Sequence, residues 1–144
     1  MANEETARVV VERILPAAPA AVFAAWLDRG TLREFIGPGD ANSVDVEVDP
    51  RVGGRFRITM WVDGRGLEHE GEYRVIDPPR RLVFTWQSPA TEKRVTLVTI
   101  ELTPHEDGTR LVLVHEHLPS ADAAGRHEKG WSVRVDKLAR CLAR

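Results

Sequence analysis

The stretch DPRVGGRFRITMWVDGRGLEHEGEYRVIDPPRRLVFTW, residues 49–86, decides the fold of this chain. Its first apolar run alternates: Phe56, Ile58 and Met60 share one parity, with polar residues between them. Such a period of two indicates a strand with one wet face and one apolar face. A glycine turn and then a proline turn separate this run from two further strand-like runs. The stretch therefore predicts an antiparallel meander whose aromatic face must be covered by another element.

Strands are also predicted before and after this meander. A β-branched run at residues 7–15 and an alternating run at residues 41–48 precede it. Residues 94–104 and 109–118 follow it, on either side of a tight Glu-Asp-Gly turn. Together with the meander, these runs predict a sheet of about six to seven strands.

Helices are predicted at three places. One opens at Pro19, because proline suits the first helical turn, and a second, capped by Thr31, ends at the Gly-Pro-Gly run of residues 37–39. The last begins after the cap Ser120 and runs to about Leu142. Its apolar residues share one helical face: Trp131, Val135, Leu138 and Leu142. The order of elements predicts an α+β fold, in which a curved antiparallel sheet grips a long C-terminal helix.

Length and composition limit the class of protein. The 144 residues favour one domain over 1–144, and a single cysteine, Cys141, suits a reducing cytoplasm. With 20 basic and 22 acidic residues, the net charge of −2 gives no broad attraction for nucleic acid or an anionic membrane. No apolar run is long enough to span a membrane, and the first residues do not resemble a signal peptide. We expect a cytoplasmic protein without a nucleic-acid or membrane partner.

Four stretches resemble a bacterial family named for the activator of the heat-shock protein 90 ATPase. They are DPRVGGRFRI (49–58), GEYRVIDPPRRLVFTW (71–86), DGTRLVLVHE (107–116) and GWSVRVDKL (130–138). The resemblance runs from about Arg8 to Leu142. That family belongs to the START-like, helix-grip superfamily (SRPBCC), which implies a ligand cavity beneath the C-terminal helix. The superfamily holds carriers, receptors, cyclases and chaperone co-factors, so the resemblance implies a fold more narrowly than an activity.

A cavity between the sheet and the final helix would be lined by side chains of both. Apolar burial would supply affinity, and a few polar groups would orient the ligand. The predicted ligand-binding residues are Phe56, Ile58, Met60, Tyr73, Phe84, Trp86, Ile100, Leu113, His115, Trp131 and Val135. Trp26 is assigned to the core. No nucleotide-binding glycine motif, zinc helix or nucleophile elbow is present, so no cofactor is expected and no catalytic residue is assigned.

Two histidines, His115 and His117, share a parity with the apolar residues of the last strand. They could chelate a metal together with His69, but structural zinc sites use four tightly spaced ligands, and we predict no metal. His115 is either a polar anchor or proton handler in the cavity or, the more common case, a hydrogen-bonded histidine at the end of the sheet. His105 and His127 are predicted at the surface.

The outer face of the sheet is predicted to carry charge and one tryptophan. Glu70, Glu72 and Glu101 share strands with arginines, which indicates cross-strand ion pairs rather than acid–base chemistry. Trp61 falls on the opposite parity to Met60, so it is either exposed or turned inward by a bulge. An exposed Trp61 would favour a homodimer or another partner.

Three functions are compatible with these patterns. The leading one is a START-like protein that binds a small apolar or aromatic ligand, with stress or toxin resistance by sequestration as one use. The second, implied by the family name, is a chaperone co-factor that stimulates an ATPase of the heat-shock protein 90 type. The eukaryotic activators carry a second, chaperone-contacting domain that we do not expect here. The third is an enzyme similar to polyketide cyclases, with His115 and Tyr73 as acid–base groups.

Overall fold

The computed structural model describes residues 7–37 and 43–144. Within those residues the chain forms seven strands and three helices. They are β1 (Ala7–Leu15), α1 (Pro19–Ala25), α2 (Arg29–Phe35), β2 (Val44–Val48), β3 (Arg55–Val62), β4 (Arg65–Asp77), β5 (Arg81–Trp86), β6 (Thr96–His105), β7 (Gly108–Leu118) and α3 (Ala121–Leu142). A 3₁₀ turn at Pro89–Thr91 separates β5 from β6. The predicted strand residues 41–42 and the Pro-Gly of the predicted helix stop lie outside the described residues.

The strands form one antiparallel sheet in the order β1-β7-β6-β5-β4-β3-β2. Strands β2 to β7 therefore follow one another as neighbours, and β1 joins the far edge by pairing with β7 from Ala7 opposite Leu118 to Leu15 opposite Thr109. The helices cover the face that carries the apolar side chains. The predicted α+β, helix-grip fold is confirmed.

Alternation places the apolar side chains of the meander on the covered face. Phe56, Ile58 and Met60 are each at most 5% exposed. The turn between β3 and β4, at residues 63–64, has φ values of 51° and 77°. Two successive residues in the left-handed region make the type I′ turn that fits the twist of a hairpin, and strand pairing resumes at Arg65.

Gly71 allows an aromatic side chain to approach the backbone of β4. A Cβ at this position would lie 1.9 Å from the carbonyl oxygen of Thr85 and 2.6 Å from the ring of Phe56. Phe56 therefore packs directly over β4, with its ring centroid 5.5 Å from those of both Tyr73 and Phe84. This cluster forms the sheet side of the cavity described below.

The short helix α2 is fixed at its start and protects the edge strand β2. The Asp28 carboxylate accepts hydrogen bonds from the Thr31 backbone N–H at 2.9 Å and from its hydroxyl at 2.8 Å. The prediction that Thr31 is the cap is therefore wrong, because the neighbouring carboxylate accepts both donors. Arg29 and Arg33 donate to backbone carbonyls of β2 at 2.9 and 3.2 Å, which occupies acceptors at an open sheet edge.

The C-terminal helix α3 begins at its predicted cap. The Ser120 hydroxyl oxygen accepts a hydrogen bond from the Ala123 backbone N–H at 3.0 Å. The apolar stripe faces β1, β7 and α2, and Trp131, Val135 and Leu138 are completely buried. Among the described helices, none is both long enough and apolar enough to cross a membrane.

Candidate functional site

An apolar cavity lies between the sheet and the α1–α2 segment. The centre of a water molecule can occupy only about 20 Å³ of it. The lining residues are Trp26, Leu32, Ile36, Val48, Phe56, Ile58, Tyr73, Phe84 and Trp86. In this conformation the cavity has room for about one or two water molecules, and aromatic rings line its sheet side.

The cavity lies against α2, which corrects the prediction of a cavity between the sheet and the C-terminal helix. Among the described residues, no side chain of α3 lines it. Trp131 fills the space beneath α3, because its buried ring lies 5.0 Å from that of Trp86 and 6.3 Å from that of Trp26. One bulky indole thus closes the gap that the curvature of the sheet would otherwise leave there.

The predicted ligand-binding residues divide into two groups. Five of them line the cavity: Phe56, Ile58, Tyr73, Phe84 and Trp86. The other six lie elsewhere in the core, each at most 3% exposed: Met60, Ile100, Leu113, His115, Trp131 and Val135. Contact with a ligand stays a prediction for the first group, and the second group would meet a ligand only after the core rearranged.

Four lining residues are absent from the prediction: Trp26, Leu32, Ile36 and Val48. Trp26 is 3% exposed, and its indole Nε1–H has no hydrogen-bond partner among the described residues. A buried N–H without an acceptor is uncommon in folded proteins. For Trp26, Leu32 and Ile36 the available signal was the helical spacing of apolar residues before the Gly-Pro-Gly run, because such residues must face the sheet. For Val48 it was the alternation of valines in the following strand.

His115 is bonded at both ring nitrogens in a buried chain of hydrogen bonds. The Trp131 Nε1–H donates to His115 Nδ1 at 2.9 Å, which places the ring proton on Nε2 because an indole nitrogen only donates. His115 Nε2–H donates to the Thr96 hydroxyl at 2.7 Å, and that hydroxyl donates to the Trp86 carbonyl at 2.6 Å. Burial, and then the nearby His127, lower the pKa of His115 to about 3. The ring is therefore neutral near pH 7, and His115 fits the alternative of a hydrogen-bonded histidine better than that of a proton handler in the cavity.

The remaining histidines do not form a metal site. His127 is buried rather than at the surface as predicted, because its Nδ1–H donates at 2.8 Å to a carbonyl one turn earlier and its ring lies 5.0 Å from that of His115. A φ of 72° turns His117 outward. His69 lies on β4, and β5 and β6 separate it from β7. His105 is exposed as predicted.

Potential metal ligands converge, within the described part of the chain, only at the exposed turn formed by His105, Glu106 and Asp107. This turn joins β6 to β7, away from the cavity lining. Exposed acidic side chains commonly gather in turns without a bound ion, so the turn defines no metal centre.

Tyr73 and His115, the pair expected for cyclase-like chemistry, lie in different surroundings. The Tyr73 ring contacts Phe56 and Phe84, whereas the His115 ring contacts His127 and a tryptophan. Burial, with a smaller effect of a nearby carboxylate, raises the pKa of Tyr73 to about 12. Near neutral pH the phenol keeps its proton and the imidazole has committed both nitrogens, so the geometry offers no acid–base pair.

Arg134 extends from α3 over the aromatic core. Its guanidinium carbon lies 4.9 Å from the ring centroid of Trp131 and 5.7 Å from that of Trp86. The Nε–H donates to the Ile36 carbonyl at 2.7 Å, and burial lowers the pKa of Arg134 to about 10. In the sequence, Arg134 directly precedes Val135 of the apolar stripe, and this position did not distinguish it from a solvated cation.

The outer face of the sheet carries ion pairs, as predicted. Glu70 and Glu101 form the expected cross-strand pairs, each 3.5 Å from an arginine of the neighbouring strand. Glu72 instead pairs at 2.9 Å with Arg74 of its own strand. Exposed pairs of this kind contribute little to stability and no acid–base chemistry. Trp61 is 47% exposed and donates through Nε1 to an Asp45 carboxylate oxygen at 2.9 Å, so the exposed alternative is correct.

A seven-stranded, open antiparallel sheet packed against a C-terminal helix, with an apolar cavity on its covered face, defines a START-like, helix-grip domain. A family model described as "Activator of Hsp90 ATPase homolog 1-like protein" matches residues 16–143. The chain belongs to this family.

Solved structures with this fold come from several bacteria. Protein CV1439 from Chromobacterium violaceum is similar with a TM-score of 0.82 and 25% identity, over 95% of this chain and 98% of that one. Protein MLL2253 from Mesorhizobium loti is similar with a TM-score of 0.78 and 26% identity, over 96% of this chain and 98% of that one. An uncharacterized protein from Rhizobium leguminosarum is similar with a TM-score of 0.78 and 27% identity, over 97% of this chain and 96% of that one. No curated protein matches the chain significantly.

Proposed function

We propose that this domain binds a small, largely apolar molecule in the cavity beneath α2. The observation that carries the proposal is the apolar cavity, whose lining includes rings of Phe56, Tyr73, Phe84 and Trp86. Concave apolar sites with a few polar groups are the usual form of small-molecule sites. An aromatic ligand that buries about 150 Å² would gain about 4 kcal/mol from removal of apolar surface from water.

Binding of such a ligand requires the cavity to widen. Its present room suits about one or two water molecules. The α2 side is the natural wall to move, because α2 has seven residues whereas the opposite wall is a hydrogen-bonded sheet. Ile36, directly after α2, belongs both to the lining and to the hydrogen bond with Arg134. Outward displacement of α2 would therefore enlarge the cavity and break that bond.

Native mass spectrometry of freshly purified protein tests the proposal first. We expect a co-purified molecule, or, after refolding from urea to remove it, saturable binding of naphthalene in a calorimetric titration. Ile58→Phe places a larger ring among the lining residues and should abolish naphthalene binding, whereas Arg57→Ala on the outer face should leave it unchanged. A folded protein that carries no molecule and binds no naphthalene would overturn the proposal.

A second candidate is the chaperone co-factor, supported by the family description alone. The exposed Trp61 offers an apolar contact on the outer face. A pull-down with a bacterial heat-shock protein 90, followed by measurement of its ATPase rate, decides this candidate. We would abandon it if the ATPase rate were the same with and without this protein at saturating concentration.

Three further expectations stay predictions. They are the cytoplasmic location, a homodimer through the face around Trp61 and a role in stress resistance. Light scattering on wild type and Trp61→Ser measures the homodimer directly. One mass for both proteins, equal to that of a monomer, would exclude it under the conditions used.

A further inference from the structure

Arg134 is a cation beside the cavity, in contact with two of the residues that line it. Its guanidinium lies over the rings of Trp131 and Trp86 and donates through Nε to the Ile36 carbonyl at 2.7 Å. Both Trp86 and Ile36 line the cavity. Arg134 therefore stands at the boundary of the site, next to the wall that must move when a ligand enters.

The terminal nitrogens of Arg134 face no carboxylate in the described structure. Nη2 meets the Met60 sulfur at 3.9 Å, which is a weak acceptor. Within residues 7–37 and 43–144, no carboxylate oxygen lies within 4.0 Å of this guanidinium. Charges removed from water are normally paired with an opposite charge, because desolvation of an unpaired ion is costly. The side chain therefore has capacity for an anionic partner.

On its other side, Arg134 borders an open depression of about 270 Å³. The depression is lined by Gly37, Lys129, Gly130, Val133 and Arg134. Its described lining contains two cations and no carboxylate. Gly130 keeps the guanidinium accessible, because a Cβ there would lie 3.2 Å from Nη1. The local charge thus favours an anion that approaches from this side.

Trp26, which lines the cavity, carries a second donor: its buried Nε1–H has no acceptor among the described residues. The Trp26 ring lies 6.3 Å from that of Trp131, the ring over which Arg134 is stacked. Two donors on residues that line or adjoin one apolar cavity favour a ligand that brings oxygen acceptors of its own.

We propose that the ligand is an organic anion whose apolar body occupies the cavity beneath α2 and whose carboxylate pairs with Arg134. This inference rests on the proposed function and specifies its ligand class. A carboxylate accepts two parallel N–H bonds, so it can pair with the terminal nitrogens of a guanidinium. Reduced access of water strengthens the attraction relative to that between free ions in solution.

Calorimetric titration with naphthalene-2-carboxylate and naphthalene-2-carboxamide tests the inference, because the two probes share a shape and differ in charge. In protein refolded from urea, the carboxylate should bind at least tenfold more tightly than the carboxamide. Arg134→Met should remove this preference, and Arg134→Lys should restore part of it. Arg57→Gln on the outer face, as the matched control, should keep the full preference.

The outcomes separate the two proposals. Equal affinity of wild type for both probes would overturn the organic-anion proposal and leave the cavity function standing, as would a preference that survives in Arg134→Met. Binding of neither probe to folded protein would overturn both.

Asp40 lies outside the described residues and follows Gly37 by three positions in the sequence, so Asp40→Asn is measured as well. If the carboxylate is preferred over the carboxamide only in this variant and not in wild type, Asp40 is the partner of Arg134, and the inference is overturned.

Discussion

The indole N–H of Trp131 donates to Nδ1 of His115 at 2.9 Å, and this bond ties the C-terminal helix to the sheet. Through the other ring nitrogen the connection continues to Thr96 on β6 and to the Trp86 carbonyl on β5. One chain of three hydrogen bonds therefore fixes α3 relative to three adjacent strands. Because all its members are buried, each bond is expensive to break.

His115→Leu should destabilise the protein by about 2–4 kcal/mol, because it leaves the Trp131 N–H and the Thr96 hydroxyl without their partner. Urea unfolding measures the change. The exposed His105→Leu should change stability by less than about 0.5 kcal/mol. Equal effects of the two substitutions would show that the buried chain adds nothing to stability.

Stability should fall as the pH drops below about 6.5, because burial lowers the pKa of three histidines. They are His127 and, more strongly shifted, His69 and His115. Burial lowers the folded pKa values of the latter two to about 4 and about 3, against 6.5 in the unfolded chain. The unfolded state thus binds protons first, and the stabilisation present above pH 6.5 is lost as the pH falls towards those folded values. At pH 5 the loss is about 2 kcal/mol for each of His69 and His115.

Urea unfolding at pH 7.5 and pH 5.0 measures this loss. His69→Phe should remove the contribution of that histidine, about 2 kcal/mol at pH 5.0. It should also keep an aromatic ring against Trp86, whose centroid lies 5.2 Å from that of the present imidazole. His105→Gln, at the surface, should leave the dependence intact. A stability equal at both pH values would mean that the buried imidazoles titrate as they do in water.

Trp26→Phe should change stability by less than about 1 kcal/mol, because loss of an unpartnered N–H offsets the volume lost. Trp131→Phe removes a similar volume but leaves His115 Nδ1 without a donor, and should cost about 2–4 kcal/mol. Urea unfolding of both variants, without ligand, gives the comparison. If Trp26→Phe proved as costly as Trp131→Phe, the Trp26 N–H would have a partner that the described residues do not contain.

Much of the fold could be predicted from the sequence, because local signals such as alternation and helix caps agree with the pattern of buried residues. Alternation in β3 and the cap at Ser120 placed a strand and a helix that tertiary contacts then confirmed. Thr31 was the wrong cap because a carboxylate and a hydroxyl lie three residues apart, and either can cap a helix by sequence alone.

The site was harder to predict from the sequence, because its position depends on how completely side chains fill the space between the sheet and the helices. His127 was predicted at the surface near the start of the last helix, yet its ring packs against that of His115 across the fold and is buried. Trp131 shares the apolar stripe of α3 with other core residues. Whether it lines a cavity or fills the space between α3 and the sheet depends on its size relative to that space, and it fills it, so the cavity lies under α2 and not under α3. Arg134 reads as a solvated cation until the two indoles beneath it are known.

Gly71→Ala should destabilise the protein by about 3 kcal/mol or more, because a methyl group there meets the Thr85 carbonyl and the Phe56 ring. Gly125→Ala is the matched control. Its site on α3 has no atom within 4 Å of the added carbon, and alanine is the better helix former, so a gain of about 0.5–1 kcal/mol is expected. Thermal unfolding of the pair measures both; a tolerated Gly71→Ala would contradict the close packing over β4.

Arg29→Ala combined with Arg33→Ala should increase self-association, because the carbonyls of β2 lose side-chain donors at a sheet edge. Light scattering across a concentration series should show a larger mean mass for the double variant than for wild type. Arg8→Ala, on the opposite edge strand, serves as a charge control. Unchanged mass at all concentrations would show that α2 blocks the edge without these guanidinium groups.

The pairing of β1 with β7 sets when the protein can fold during synthesis. The partner of Leu15 is Thr109, so the first strand leaves the ribosome long before its neighbour exists. Until then its apolar side chains have no permanent cover, and such nascent segments depend on rapid completion or on a chaperone to avoid aggregation. A circular permutant that links the C-terminus to the N-terminus, with new termini between β1 and α1, would place β1 directly after α3. The two paired strands would then be close in sequence, and the permutant should fold faster.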